Sequence, residues 1–195
     1  YQKRVRFNTP VQSVRRTHDE VLVTPRGGGP ERFEQVILAC PSDHALQMLD
    51  PPTKTEEELL RAIPYQKIDA VLHTDASVLP KRESAWAAWN CRLPAHPQAR
   101  ASITYNLSLM HAIETPEPVC LTLHDFTGID PAKALKRFEY RVPMVTWRAL
   151  AVQKRQNEIN GECRTFFCGG YWGAGLHEDA VTSALNVCRY FKKSL

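Results

Sequence analysis

No two of the six cysteines form a C-x-x-C pair, and no two of the seven histidines an H-x-x-x-H pair, so the usual zinc-ligand spacings are missing. No apolar run approaches membrane-spanning length, and no signal peptide is visible. Internal repeats and low-complexity tracts are also lacking. Positive charge is in slight excess, +4 over 195 residues, and is scattered in pairs such as Arg15-Arg16, Lys81-Arg82, Lys136-Arg137 and Lys192-Lys193. With no basic stripe, nucleic acid is not an expected partner. Cys40 ends an apolar run, Cys120 sits within Val119-Cys120-Leu121, and Cys188 falls on the apolar side of a helical pattern. These are ordinary places for small hydrophobic thiols in a reducing cytoplasm, the expected location, and disulfides are not expected. What remains is a chain 43% hydrophobic and long enough to bury the core of one or two domains.

The most informative stretch is Thr165 to Ser183, TFFCGGYWGAGLHEDAVTS. A short apolar strand runs into a glycine-rich bend that opens onto an amphipathic helix beginning near His177 or Glu178. Glycines at 169, 170, 173 and 175 let the backbone approach a ligand and present its own N–H groups. The first turn of the helix adds unpaired N–H groups and the positive end of a dipole, which favour an electron-rich acceptor. Glu178 and Asp179 occupy that same turn. Two carboxylates repel a bare phosphate but accept hydrogen bonds from hydroxyl or ring N–H groups, so the ligand is expected to be polyhydroxylated and heterocyclic.

Elsewhere the periodicities predict a β-meander from Val5 to Val14, Val21 to Pro25 and Phe33 to Cys40, with Gly27, Gly28 and Gly29 in a hairpin loop. A short helix is predicted from Ser42 to Leu49, and a second from a capping box at Thr55 to Glu58, ending before Pro64. Strands at Ala70–His73, Ala85–Trp89, Ala101–Tyr105 and Val119–Leu123 read as one antiparallel sheet. Helices are expected from Asp130 to Arg137 and from Trp147 to Asn160, closed by Gly161. In the last helix Ala180, Val181, Ala184, Leu185, Cys188 and Phe191 form the expected inward face. Trp86, Trp89 and Tyr105 read as sheet core or cavity lining, while Tyr171 and Trp172 are expected to protrude from the glycine loop.

The segment CGGYWGAGLHEDAVTSAL closely resembles the last flavin-contacting segment of FAD-dependent amine-oxidase-like proteins, in particular a bacterial group of predicted NAD/FAD-binding oxidoreductases. RFNTPVQSV with FEQVILACPSDHAL, and VLHTDASVLPKRESAWAAWN, ITYNLSLMHAI and VCLTLHDF, resemble other parts of the same fold. Members of that family open with a G-x-G-x-x-G turn that seats the FAD pyrophosphate, and this sequence contains none. With its start at Tyr1, the chain is therefore expected to be the C-terminal part of a longer protein.

The resemblance implies an α+β fold: a partial FAD-binding domain, β-meander plus C-terminal strand-loop-helix, with an antiparallel-sheet substrate domain. The implied ranges are 1–45 and 161–195 for the FAD domain and 46–160 for the substrate domain. Carried over residue by residue, it implies FAD contacts at Val11 (backbone to adenine), Gly169, Gly170, Tyr171, Gly175, Leu176, His177, Glu178, Asp179 and Ala180. FAD is expected to be non-covalent, since the surroundings of a cysteinyl-flavin cysteine are not reproduced. The implied activity is hydride transfer from a C–N or C–C bond of a small amine or lipid-like substrate. A desaturase or isomerase, or a non-catalytic binding protein, are the alternatives. The piece alone is expected to be inactive and to self-associate or pair with the missing half. No catalytic residue emerges, and His73, His111, His124 and His177 stand only as acid/base candidates.

Overall fold

The computed structural model describes residues 4–93, 101–124 and 126–193; Tyr1 and Asp125 of the VCLTLHDF stretch lie outside them. The chain forms two compact units, Tyr1–Tyr65 with Pro143–Leu195, and Gln66–Val142. Parts of the range expected for the substrate domain, around 46–65 and 143–160, thus belong to the first unit, because their apolar residues Leu59, Leu60, Val152 and Ile159 enter its core.

In the first unit, β1 (Val11–Arg16) and β2 (Val21–Pro25) pair antiparallel, and β3 (Glu31–Phe33) adds to β2. The first strand starts at Val11, not Val5: Asn8 has φ 53 and Pro10 has no N–H for a ladder. The expected strand from Phe33 to Cys40 is two strands. The polar segment β3 stays on the meander edge, whereas the apolar β4 (Val36–Leu38) pairs elsewhere, in parallel with Thr165–Phe167. The polar pair Glu34-Gln35 separates them.

Next come α1 (Ser42–Met48), the two-residue β5 (Leu49–Asp50), parallel to β1, and α2 (Lys54–Arg61). The capping box of α2 is Thr53 with Glu56, two residues before the expected pair: Glu56 N–H donates to Thr53 Oγ1 (3.1 Å) and Thr53 N–H to Glu56 Oε2 (2.6 Å). Thr-x-x-Glu occurs twice here, at 53–56 and 55–58. The first wins because Arg16 donates to both Glu56 oxygens at 2.9 Å, with side chains 5% and 0% exposed. A buried carboxylate needs such a partner.

The second unit is built on an antiparallel sheet of order β10-β6-β9-β8-β7, as expected in kind. Its strands are β6 (Tyr65–His73), β7 (Trp89–Arg92), β8 (Ser102–Asn106), β9 (Cys120–Leu123) and β10 (Ala134–Pro143), with the single turn α3 (Leu107–Met110) after β8. Ala85–Trp89 is not a strand. Glu83–Ala85 is a 3₁₀ turn and the Trp86 indole donates to Pro80 O (2.8 Å), so pairing begins only at Trp89. The helix expected over Asp130–Arg137 is also absent. Asp130 caps and Pro131 opens one 3₁₀ turn, and the chain then joins β6 as β10, with Thr74 N–H on Lys133 O.

Back in the first unit, α4 (Trp147–Gln153) is shorter than expected; a turn, a 3₁₀ turn at Gln156–Glu158 and Gly161 at φ 89 carry the chain to β11 (Thr165–Phe167). The final α5 (His177–Tyr190) buries Ser183 and Val187, with Ala180 and Ala184 partly covered. Its inward face is therefore rotated from the expected one: Val181 is 41% and Phe191 37% exposed. The serine turns inward because its hydroxyl has backbone partners there.

Candidate active site around the glycine loop

β11 is fully buried and delivers the chain into the loop, with Cys168 N–H bonded to Leu38 O (3.1 Å). The loop 169–176 is shaped by packing. A Cβ at Gly169, whose φ is 155, would stand 2.6 Å from the Tyr171 ring, and one at Gly173 would collide with the Asp179 carboxylate. Gly175 differs: it has φ 91 but open space, the nearest atom being Pro143 Cγ at 3.7 Å.

The loop turns its carbonyls inward. Gly169 O accepts from Trp172 N–H (3.3 Å), and Gly170 O accepts from the N–H groups of Gly173 (3.0 Å) and Gly175 (3.1 Å). Gln153 Nε2 donates to the carbonyls of both Tyr171 (3.2 Å) and Gly173. Ser183 Oγ accepts from Gly169 N–H at 2.9 Å. Below the loop, Gln156 Nε2 donates to Phe167 O (2.9 Å) and Ser183 O (3.2 Å), and Asn160 Oδ1 accepts from Phe167 N–H (2.7 Å). Spacings of three and four residues put Gln153, Gln156 and Asn160 in a row of amides gripping β11, the loop and α5. Sequence reading missed them, since polar residues in a stretch expected to be one helix look like solvent contacts; only Gln153 lies on α4, and the spacing was their only signal.

At the start of α5, Ala180 N–H makes the first intrahelical bond, to Leu176 O (3.2 Å), so the N–H groups of His177, Glu178 and Asp179 have no intrahelical acceptor. Asp179 Oδ2 accepts from Leu176 N–H (2.9 Å), which commits one carboxylate oxygen to the cap. Leu176, His177 and Glu178 are exposed, and Gly170 and Ala180 half-buried. The carried-over residues of the loop and helix start are thus brought together.

Tyr171 and Trp172 do not protrude. They are 4% and 8% exposed and pack into the core, because the 3₁₀ turn at Gly170–Trp172 folds both rings under the loop. Among the described residues the Tyr171 hydroxyl and Trp172 Nε1 make no hydrogen bond, and burial pushes the Tyr171 phenol well above its ordinary value. Tyr171 therefore acts through its packing and its carbonyl. Val11 lies elsewhere in the unit, 37% exposed, in a cleft of about 260 Å³ shared with Val23, Pro25, Phe33, Thr9, Arg4 and the Arg6–Glu31 ion pair.

His73 belongs to a closed network in the second unit. Its Nδ1 accepts from Asp75 N–H (3.1 Å), so Nε2 carries the proton and donates to Thr122 Oγ1 (2.8 Å), which bonds Thr104 Oγ1 (2.8 Å). Burial lowers the His73 pKa and Asp75 opposes the shift. The same sheet is polar on its buried face, with Ser102, Thr104, Asn106 and Thr122 all under 5% exposed. The opposite face presents Leu72, Ile103, Tyr105 and Leu121, half-exposed, and Trp89, 63% exposed and edge-on to Tyr105. Trp89 is thus not core.

Among the described residues no cluster of His, Cys, Asp or Glu could hold a metal ion, and no helix is long and apolar enough to cross a membrane. All six cysteines are free thiols; Cys163 is exposed, with φ 47.

Residues 2–82 match the model of the family described as flavin containing amine oxidoreductase. Solved structures with the same fold include a CLA-producing fatty acid isomerase from P. acnes (14% identity, TM-score 0.60, 94% of this chain and 48% of that one). Others are a reduced UDP-galactopyranose mutase (10%, 0.65, 98% and 49%) and a putrescine oxidase bound to putrescine (13%, 0.58, 95% and 49%). Residues 2–82 are thus similar in sequence to that family, and nearly the whole chain shares the fold of these structures. The chain spans about half the length of these structures. No curated protein sequence gives a significant match.

The residues present fit a flavin. Carbonyls bonded within the fold and N–H groups without an intrahelical acceptor at a helix start favour an electron-rich partner, and so suit the carbonyl-bearing edge of a flavin ring.

Proposed function

We propose that the intact protein is an FAD-dependent oxidoreductase of the amine-oxidase type, with FAD held non-covalently, in the cytoplasm. The observation that carries this reading is the loop from Gly169 to Leu176, whose carbonyls at Gly169, Gly170, Tyr171 and Gly173 are bonded internally while the first N–H groups of α5 have no intrahelical acceptor. When bound, the flavin supplies the hydride acceptor for oxidation of a C–N or C–C bond. The chain's part is to position it: N–H groups of His177 to Asp179 favour negative charge at the facing ring edge, and Glu178, exposed and unused by the cap, suits a ribityl hydroxyl. The cleft at Val11 suits the adenine end, having an apolar lining beside Arg4 and Arg6. We assign FAD binding to the first unit, which takes in 46–65 and 143–160 as well as 1–45 and 161–195, substrate binding to Gln66–Val142, and the activity to the chain together with a pyrophosphate-binding half. Without that half, the exposed apolar residues Ile37 and Val181 favour self-association.

The test is the visible spectrum of the full-length protein with Gly175 intact or changed to Val. Space exists for the side chain, so the fold survives, but φ 91 is strained for a β-branched residue and the loop must shift. Flavin is expected in the parent and lost in the variant. Normal flavin content in Gly175→Val would remove the cradle.

A second reading, a desaturase or isomerase of a lipid-like substrate, is favoured by one observation: Leu72, Ile103, Tyr105 and Leu121 share one half-exposed sheet face, an apolar group that suits an aliphatic chain. Bleaching of the flavin band by an amine, with no bleaching by a saturated fatty acid and no double-bond shift in an unsaturated one, would reject it.

A further inference from the structure

We propose that Gln153 is the positioning residue that sets the glycine loop in its ligand-binding shape, an inference that rests on the flavin reading of that loop. Of the three amides in the row, Gln156 and Asn160 reach only β11 and α5, through Phe167 and Ser183. Gln153 alone reaches into the loop. One Nε2 group donates both of its hydrogens, to Tyr171 O and to Gly173 O, across either side of Trp172. Among the described residues Tyr171 O and Gly173 O have no other partner, so a carbonyl that loses this donor turns toward solvent, on the side where the ligand would lie. An outward carbonyl there repels an electron-rich ring edge and shifts the adjoining N–H groups. Gln153 thus decides which polarity the loop shows, without touching the ligand.

The side chain is only half-buried and starts from the end of α4, so its replacement removes little core. The informative variant is Gln153→Glu, nearly identical in shape, which removes the donors and sets a carboxylate against two carbonyls. In the full-length protein we expect flavin affinity to fall at least about tenfold, as loss of two hydrogen bonds predicts. The flavin midpoint potential should move to a more negative value, while the thermal midpoint of the apoprotein stays close to the parent's. Gln153→Ala should do the same to a smaller extent, and Gln156→Ala should lower thermal stability with little effect on potential.

Unchanged affinity and potential in Gln153→Glu would overturn the proposal. So would a loss that follows thermal stability alone across the three variants, or unfolding of both Gln153 variants, since either result makes the residue simply structural. If the parent binds no flavin, the functional reading fails separately. Amide hydrogen exchange at 171–176 then decides the positioning role: faster exchange in Gln153→Glu supports it, and unchanged exchange overturns it.

Discussion

The strand-loop-helix of the first unit and the sheet of the second both bury polar side chains, to opposite ends. In the first, Gln153, Gln156, Asn160 and Ser183 bond to backbone, and so fix a segment whose own N–H groups remain outside. In the second, His73, Thr122 and Thr104 bond chiefly to one another, with a single backbone donor, Asp75 N–H, on the histidine ring. Side chains that hold backbone shape a surface for something else. Side chains that satisfy each other only specify the sheet, because a half-satisfied network inside a protein is costly.

The sharpest way to break this comparison is to attack the ion pair of the first unit. Glu56→Ala leaves Arg16 buried beside Pro51 O and Thr165 without its carboxylate, and should cost about 3–5 kcal/mol by denaturant titration. The second unit should report the loss only if the two unfold together. A smaller effect belongs to the closed network. Thr122→Val removes the hydroxyl shared by His73 and Thr104 and should cost about 1–3 kcal/mol, with flavin content unchanged. If Thr122→Val also empties the flavin site, the network is not self-contained.

At the helix start, Glu178→Ala with Asp179→Ala should weaken FAD by about 1.5–3 kcal/mol per charged hydrogen bond lost. Asp179→Ala alone removes the bond to Leu176 N–H, so an effect confined to it would mean that these residues only cap α5.

The smallest effect is a pH dependence. His73 has a folded-state pKa below its ordinary 6.5, because burial disfavours the imidazolium more than Asp75 favours it. The unfolded chain therefore binds the proton more readily. Stability from this group is complete above 6.5 and declines as pH falls, until the folded histidine also protonates. Asp75 faces the ring, with Lys133 acting on that carboxylate. The thermal midpoint should decline between pH 7 and 5, less steeply in His73→Gln; an equal slope would place the titration elsewhere.

Local chemistry made much of this legible. TFFCGGYWGAGLHEDAVTS showed the strand, bend and helix start, because strand residues, glycines and an amphipathic period are local signals. Asp130-Pro131 likewise showed a turn start, but not that one turn would suffice: β6 offered β10 a backbone ladder, and pairing overrode the short-range signal. Thr53 won over Thr55 as the α2 cap because Arg16, 40 residues from Glu56, needed that carboxylate. Sequence by itself thus determined where the chain bends and where backbone N–H groups are freed. Only the tertiary structure decided which polar side chains turn inward, as Gln153, Gln156 and Ser183 do, and that Tyr171 and Trp172 lie beneath the loop. The reason is physical: a hydrogen bond or a buried ring is fixed by its partner, and these hydrogen-bond partners lie 11 to 30 residues away along the chain.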